Sequence, residues 1–482
     1  MVSKSGLRAA FAVLLILSVL PVGYGYVTAK SDTTFEQHLD ADGVTTREPI
    51  VPPRDNITVV ATDSNSWRGQ QSEGPRARAE LVAFNPDGSV LYYNDTHTRY
   101  WDVDPVPGTR ATVEYSYADH LDPKECPETW NHSDYAVDNA TWNEYLDVHG
   151  DIRACTRNGF ERVNLTTGET TRVWSQRTPG KEASRYHDID RINGTHIAVA
   201  DIYLDRVFIA NAKTDEIVWT WNASDAFSPS KTGGPYPKDW SHINDVEVLE
   251  DGRLMVSMRN HDRVVFLNRD GLVRNWTLGE EDNYSILYEQ HNPDFIPESN
   301  GGPAAIVADS ENNRVVEYQR EGGKWTRTWT WRDARMQWPR DADRLPNDHT
   351  LIADSNGNRV FEVNRQGDVV WRVNIAFPYE VERLGTDDES TGGESAQSAE
   401  LATRTGTLSD RFWITVKSFI PGKYLNGLMY ITPVWLGIQE LLGLAVGLVV
   451  ALVWGGAEVR WLVLRRLGSP TELLREKTSK ED

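Results

Sequence analysis

Between Tyr186 and Asn374 short apolar runs alternate with polar turns in a pattern that repeats. Four segments align: HDIDRINGTHIAVADIYLDRVFIANAKTDEIVWTWN from His187, NDVEVLEDGRLMVSMRNHDRVVFLNRDGLVRNWTL from Asn244, HNPDFIPESNGGPAAIVADSENNRVVEYQREGGKWTRTWTW from His291, and RDADRLPNDHTLIADSNGNRVFEVNRQGDVVWRV from Arg340. Each reads as a strand, a Gly or Asn turn, an apolar strand ending in a polar cluster, an Arg-Val strand, a second turn and a Trp-bearing strand. Four short strands recurring about every fifty residues form the blade of a β-propeller, which buries its faces only against neighbouring blades. Two divergent blades are expected earlier, around Leu81 to Tyr117 and Asn131 to Gln176, so the pattern predicts an all-β, six-bladed β-propeller. The strand Ile57 to Thr62 is expected to close the ring by joining the last blade.

Two long apolar runs stand outside this pattern. Leu7 to about Ala29 follows Lys4 and Arg8 and has no clear A-x-A site after it, so we read an uncleaved anchor rather than a signal peptide. Met429 to Trp454 is apolar except for Gln439 and Glu440, and Arg460, Arg465, Arg466, Arg475 and Lys477 follow it. The organisation expected is therefore an anchor at 1–30, a propeller ectodomain at 31–384, a linker and amphipathic juxtamembrane segment at 385–427, a transmembrane helix at 428–456 and a short tail at 457–482. The basic flanks predict both termini in the cytoplasm and the propeller outside the cell membrane.

Composition narrows the partners. Lys and Arg number 50 against 71 Asp and Glu, a formal charge of -21. Such a surface repels phosphate backbones and excludes nucleic acid as a partner; its acidity suits solvation in high salt, as in halophilic archaea. The cysteines are Cys126 and Cys155, both in the ectodomain, where they either form one disulfide or stay as buried thiols. Sequons at Asn56, Asn94, Asn131, Asn139, Asn164, Asn193, Asn222, Asn275 and Asn283 suit a glycosylated exterior.

Register within the repeat places His187, Asn244, His291 and Arg340 at the same point, the start of the innermost strand of successive blades. Equivalent positions in a ring converge on one axis, and a set of donors without carboxylates predicts an oxyanion as guest. His242, two residues before Asn244, and Arg259, in SMRNHDRV, are placed to join them. Arg340 either binds the anion or pairs with Asp341 or Asp343. The acidic turns ADSENNR and ADSNGNR fit no cation loop and are read as turn stabilisers, so no metal and no cofactor is expected. His97, His120, His132 and His261 are read as surface or loop residues.

The phrases SRYHDIDRI, DWSHINDVEVL, VSMRNHDRVV, EQHNPDF and the W-x-W endings EIVWTWN and TWTWR resemble the arylsulfate sulfotransferase family. The resemblance covers about Leu81 to Asn374 and implies an exported propeller that moves a sulfuryl group from an aryl sulfate donor to a phenolic acceptor through a sulfohistidine, without a nucleotide sulfate donor. It implies His291 as nucleophile, His242 and His187 as further catalytic histidines, and Asn244 and Arg259 as binding residues; Arg340 has no family counterpart. The span from Lys30 to Glu80 is too short for the family's N-terminal dimerisation domain, which leaves the oligomeric state open. The alternative from another class is a non-catalytic, membrane-anchored propeller that binds a ligand or partner. Transfer to phenol and hydrolysis by water use the same residues, and the sequence does not separate them.

Overall fold

The computed structural model of the chain describes residues 3–29, 35, 48–64, 78–149, 154–181 and 183–467. Residues 33–432 form one compact unit; 1–32 and 433–482 form another.

The larger unit is a ring of six antiparallel sheets, five with four strands in radial order and one with a fifth short strand, Leu278–Gly279, beside its third. Blade 1 runs outward through Arg99–Pro105, Thr112–Leu121, Cys155–Asn164 and Thr170–Pro179. The inner strands of blades 2 to 5 are Tyr186–Arg191, Ile243–Val248, His291–Ile296 and Pro339–Arg344. Blade 6 joins both ends of the ring: Pro378–Arg383 is its inner strand, and Thr58–Thr62 pairs beside it, Val60 opposite Val381, followed by Leu81–Phe84 and Val90–Asn94. The closure is of the expected kind, but the divergent blades divide differently. Leu81 to Tyr117 straddles blades 6 and 1, because a blade boundary here follows the inner strand and not the sequence repeat.

Apolar side chains at alternate strand positions fill the wedges between neighbouring blades, as with Val207, Val246, Val256 and Val265 between blades 2 and 3. The W-x-W strands belong to this packing: Trp221, Trp329 and Trp331 are buried. Cys126 and Cys155 are joined as a disulfide, which ties the strand Cys155–Asn164 to the excursion carrying α2 (Asn139–His149). In the turns read as stabilisers, Asp309 pairs with Arg314 and Asp354 with Arg359. None of the nine sequon asparagines is buried.

The Gly- and Ser-rich stretch after residue 385 is not a free linker. Ser390, Ser395, Ala396 and Ala399 are buried, and backbone bonds run from Ser395 N to Asn300 O, Ala402 N to Arg365 O and Arg404 N to Thr330 O. Small residues lie close to a sheet edge without steric conflict, so the composition that suggests flexibility here permits close packing. Two helices follow, α3 (Leu408–Lys417) and α4 (Gly422–Tyr430). The Lys417 ammonium donates to Met336 O at 2.9 Å, and Asn426 donates to Glu311 at 2.8 Å; this segment is held on the propeller.

In the second unit α1 (Lys4–Ala29) and α5 (Ile438–Leu467) lie side by side, joined by Arg8 and Glu458 at 2.5 Å and by Phe11 stacked on Trp454 at 5.9 Å. Both helices are long and apolar enough to cross a membrane, and Ile16, Leu448 and Leu452 are exposed. The second span begins nine residues later than its apolar run suggests: Met429 and Tyr430 end α4 before Pro433, and Glu440 accepts from Gly437 N at 3.0 Å in the first turn of α5. Arg475 and Lys477 lie outside the described residues.

Candidate functional site

A regular strand points successive side chains to opposite faces. Every inner strand here breaks that rule near its start, where the register slips between Tyr100 and Val103, Tyr186 and Asp188, Ile243 and Asp245, His291 and Pro293, Pro339 and Asp341, and Pro378 and Glu380. Such bulges let two consecutive residues turn toward the axis. The six pairs are Trp101 and Asp102, His187 and Asp188, Asn244 and Asp245, His291 and Asn292, Arg340 and Asp341, Tyr379 and Glu380. At the entry to four of these strands, His242, Glu289, Trp338 and Phe377 hold left-handed φ values of 45°, 43°, 57° and 54°, conformations that non-glycine residues keep only where the surroundings over-determine them.

Above the first members of these pairs lies a cavity of about 430 Å³. His187, His242 and His291 line it, with Arg99, Arg185, Arg259, Arg340 and Lys238 supplying five positive charges against the carboxylates of Asp63 and Asp239. Trp101, Trp338 and Tyr430 contribute aromatic wall. Asp63, just after the closing strand, holds two of the cations: its oxygens accept from Arg99 at 2.6 Å and Arg340 at 2.8 Å. Burial opposes ionisation of Asp63, but these guanidinium groups keep its carboxyl below the usual range. Arg340 also stacks over Trp338 at 4.3 Å and Tyr379 at 4.6 Å. Arg259 follows the second strand of blade 3 and donates twice to Asn260 Oδ1, at 3.0 and 2.9 Å; the same Asn260 donates to Asp239 O at 2.6 Å.

The three imidazoles have assigned tautomers. Ser310 Oγ donates to Pro339 O at 2.7 Å, so at 2.8 Å from His291 Nδ1 it acts as acceptor. His291 therefore carries its proton on Nδ1 and a lone pair on Nε2. His242 Nδ1 donates to Asp239 at 2.5 Å, leaving its Nε2 as a lone pair too. His187 differs: its Nδ1 lies 2.9 Å from the Tyr379 hydroxyl, for which no other acceptor stands among the described residues; with the phenol as donor, His187 carries N–H at Nε2. Burial, then the nearby guanidinium groups, hold His187 and His291 well below the usual imidazole range and His242 down to about 4. All three are neutral at pH 7 in a field of fixed positive charge.

Residues 187–376 match the family described as Arylsulfotransferase (ASST). The match supports the arylsulfotransferase family and a sulfotransferase-like enzyme at that level. No curated protein matches the chain. Solved structures similar to it include the Pseudomonas aeruginosa periplasmic gluconolactonase, at 13% identity and TM-score 0.41 over 69% of this chain and 99% of that one. A catalytically inactive virginiamycin B lyase from Staphylococcus aureus aligns at 9% identity and TM-score 0.36 over 70% and 89%.

Five of the six residues singled out from the sequence, His187, His242, Arg259, His291 and Arg340, line the one cavity. Asn244 does not: it is fully buried and donates to Gln290 O at 3.0 Å, fixing the backbone that leads into His291. Arg340 pairs with Asp63, not with Asp341 or Asp343, since its bulged position turns it into the cavity. The carboxylates of Asp63 and Asp239 were not anticipated, nor were Arg99, Arg185, Lys238 and Tyr379. A signal for two of them exists: RYWDVD and RYHDID place Arg99 and Arg185 at the same point, the entry to the inner strands of blades 1 and 2. His97, His120 and His261 are buried, not superficial; Asp119 and Glu161 overcome the burial of His97 and raise it to about 9.

Proposed function

We propose that this chain transfers a sulfuryl group from an aryl sulfate to a phenol, with His291 as the covalent carrier. The observation that carries this reading is the His291 Nε2 lone pair, fixed by Ser310 and neutral, in a cavity with Arg259 and Arg340. Neutral imidazole is a good nucleophile, and attack at sulfur forms an N–S bond while the S–O bond to the aryl group breaks. The imidazolium product keeps Nδ1–H donating to Ser310. Arg259, Arg340 and the His187 Nε2–H are disposed to hold the sulfuryl oxygens as charge shifts onto the leaving oxygen. Trp101, Trp338 and Tyr430 suit the aromatic ring. The His242–Asp239 pair is the group suited to exchange the phenolic proton, returning one to the departing phenoxide and taking one from the acceptor.

The apolar helices α1 and α5 support a membrane anchor for this enzyme; the basic residues flanking them favour the propeller outside. The test of function uses the full-length chain in detergent with 4-nitrophenyl sulfate. Release of nitrophenol that rises with added phenol, loss of release in His291→Ala, and a single SO3 adduct on His291 after donor alone are expected. Release indifferent to phenol would assign hydrolysis instead, and no release at all would leave an anchored binding module.

A further inference from the structure

Below the cavity the channel changes character. Each inner strand continues with two axis-facing positions: Asp102 and Asp104, Asp188 and Asp190, Asp245 and Glu247, Asn292 and Asp294, Asp341 and Asp343, Glu380 and Glu382. Eleven of these twelve side chains are carboxylic acids, and among the described residues none of the eleven forms a salt bridge. Part of their role is structural. Asp188 accepts from Val246 N, Glu247 from Phe295 N, Asp341 from Val381 N and Glu380 from Val103 N, at 2.6 to 3.1 Å, each stitching its strand to the next.

That stitching leaves carboxylate oxygens over. Asp102 Oδ2, Asp104 Oδ2, Asp245 Oδ2, Asp341 Oδ1 and both oxygens of Asp343 are buried without a donor from outside the acidic set, the carboxyls of Asp341 and Asp343 lying against each other and that of Asp102 against Glu380, on residues at most 9% exposed. A buried carboxylate without a donor or a counterion is costly. The segment after blade 6 adds a further acid: Glu389, in a left-handed conformation at φ 48°, reaches the channel, and neighbouring Ser390 donates to Asp294 at 2.6 Å. One oxygen each from Asp294, Asp341, Asp343 and Glu389 lies within 4.8 Å of the others. Opposed ligands about 2.4 Å from a calcium ion are separated by about that distance.

We propose that Asp294, Asp341, Asp343 and Glu389 bind a hard divalent cation of the calcium class, which neutralises the lower channel and locks the segment after blade 6 onto the ring. The all-oxygen donor set excludes the softer metals that seek His or Cys. Four carboxylates around one centre suit the adaptable calcium shell better than the rigid octahedron of magnesium. This departs from the metal-free expectation drawn from the turn sequences, since the ligands lie on inner strands and not in turns. The inference does not rest on sulfuryl transfer.

The experiment is done on the full-length chain in detergent, stripped with EDTA. Equilibrium dialysis against radioactive calcium is expected to give at least one equivalent bound per chain at micromolar free cation. Calcium is expected to raise Tm by at least about 5 °C at fixed ionic strength, with magnesium giving less and sodium nothing comparable. Asp343→Asn is expected to weaken calcium binding at least tenfold. No bound calcium in the wild type, or an equal Tm response to sodium and calcium, overturns the proposal. So does unchanged binding in Asp343→Asn; if that variant does not fold, the wild-type stoichiometry and the calcium-against-magnesium comparison decide.

Discussion

At the scale of single residues, reactivity follows from which nitrogen holds the proton. Ser310 and Asp239 each accept a hydrogen bond from the Nδ1–H of their histidine, so His291 and His242 present lone pairs at Nε2 where free imidazole would exchange tautomers. His291→Ala is expected to lower turnover by at least about three orders of magnitude without altering the melting curve. Arg259→Met and Arg340→Met, which remove donors to the sulfuryl oxygens, are each expected to cost about two to three orders in kcat. The pH profile provides a separate check. Because His291 sits well below the usual imidazole range, its neutral form persists as pH falls through 6.5. In single turnover with 4-nitrophenyl sulfate, whose phenoxide departs without a proton, the rate is expected to stay flat from pH 8 to about 5.5. An inflection at the ordinary histidine value would count against the assignment. His187, Asn244, His291 and Arg340 were legible because H-D-I-D, N-D-V-E, H-N-P-D and R-D-A-D begin repeats. Asp63 and Asp239 were not, since each lies on a connection outside the repeat and gains its role from the groups brought to it, arginines at Asp63 and His242 with Arg259 at Asp239.

At the scale of elements, the bulge is the decisive device. Hydrophobic alternation predicts strands but assigns neighbouring residues to opposite faces; the slip at each inner strand brings both to the axis, giving the cavity its basic lining and the channel its acids from the same short sequence. The Cys126–Cys155 bond closes a loop across 29 positions, and replacing both cysteines by serine is expected to lower stability by about 3.5 kcal/mol, read as a drop in Tm. The closing strand gives a sharper test. Val60 is fully buried between Val82 and Val381, so Val60→Asp places an unpaired charge where the ring is joined. A loss of about 3 kcal/mol or more is expected by denaturant titration, with Val60→Thr far milder.

For the whole molecule, the ring brings together side chains more than 300 positions apart, as in the Arg54–Glu362 pair, 308 apart, and no local pattern reports such a contact. Anchoring is tested at this scale: with α1 and α5 both in place, the chain is expected to resist alkaline carbonate extraction from membranes, and a chain spanning residues 33–432 is expected to be released. The sequence by itself determined the repeat, and with it the propeller, because strand period and turn chemistry are local properties. It also determined which repeat positions converge on the axis. Only the tertiary structure decided the tautomers, the carboxylates that hold the arginines, the withdrawal of Asn244 behind His291 and the docking of the Gly- and Ser-rich segment. Each of these depends on partners from other blades, whose distance is set by ring closure and not by anything written near the residue itself.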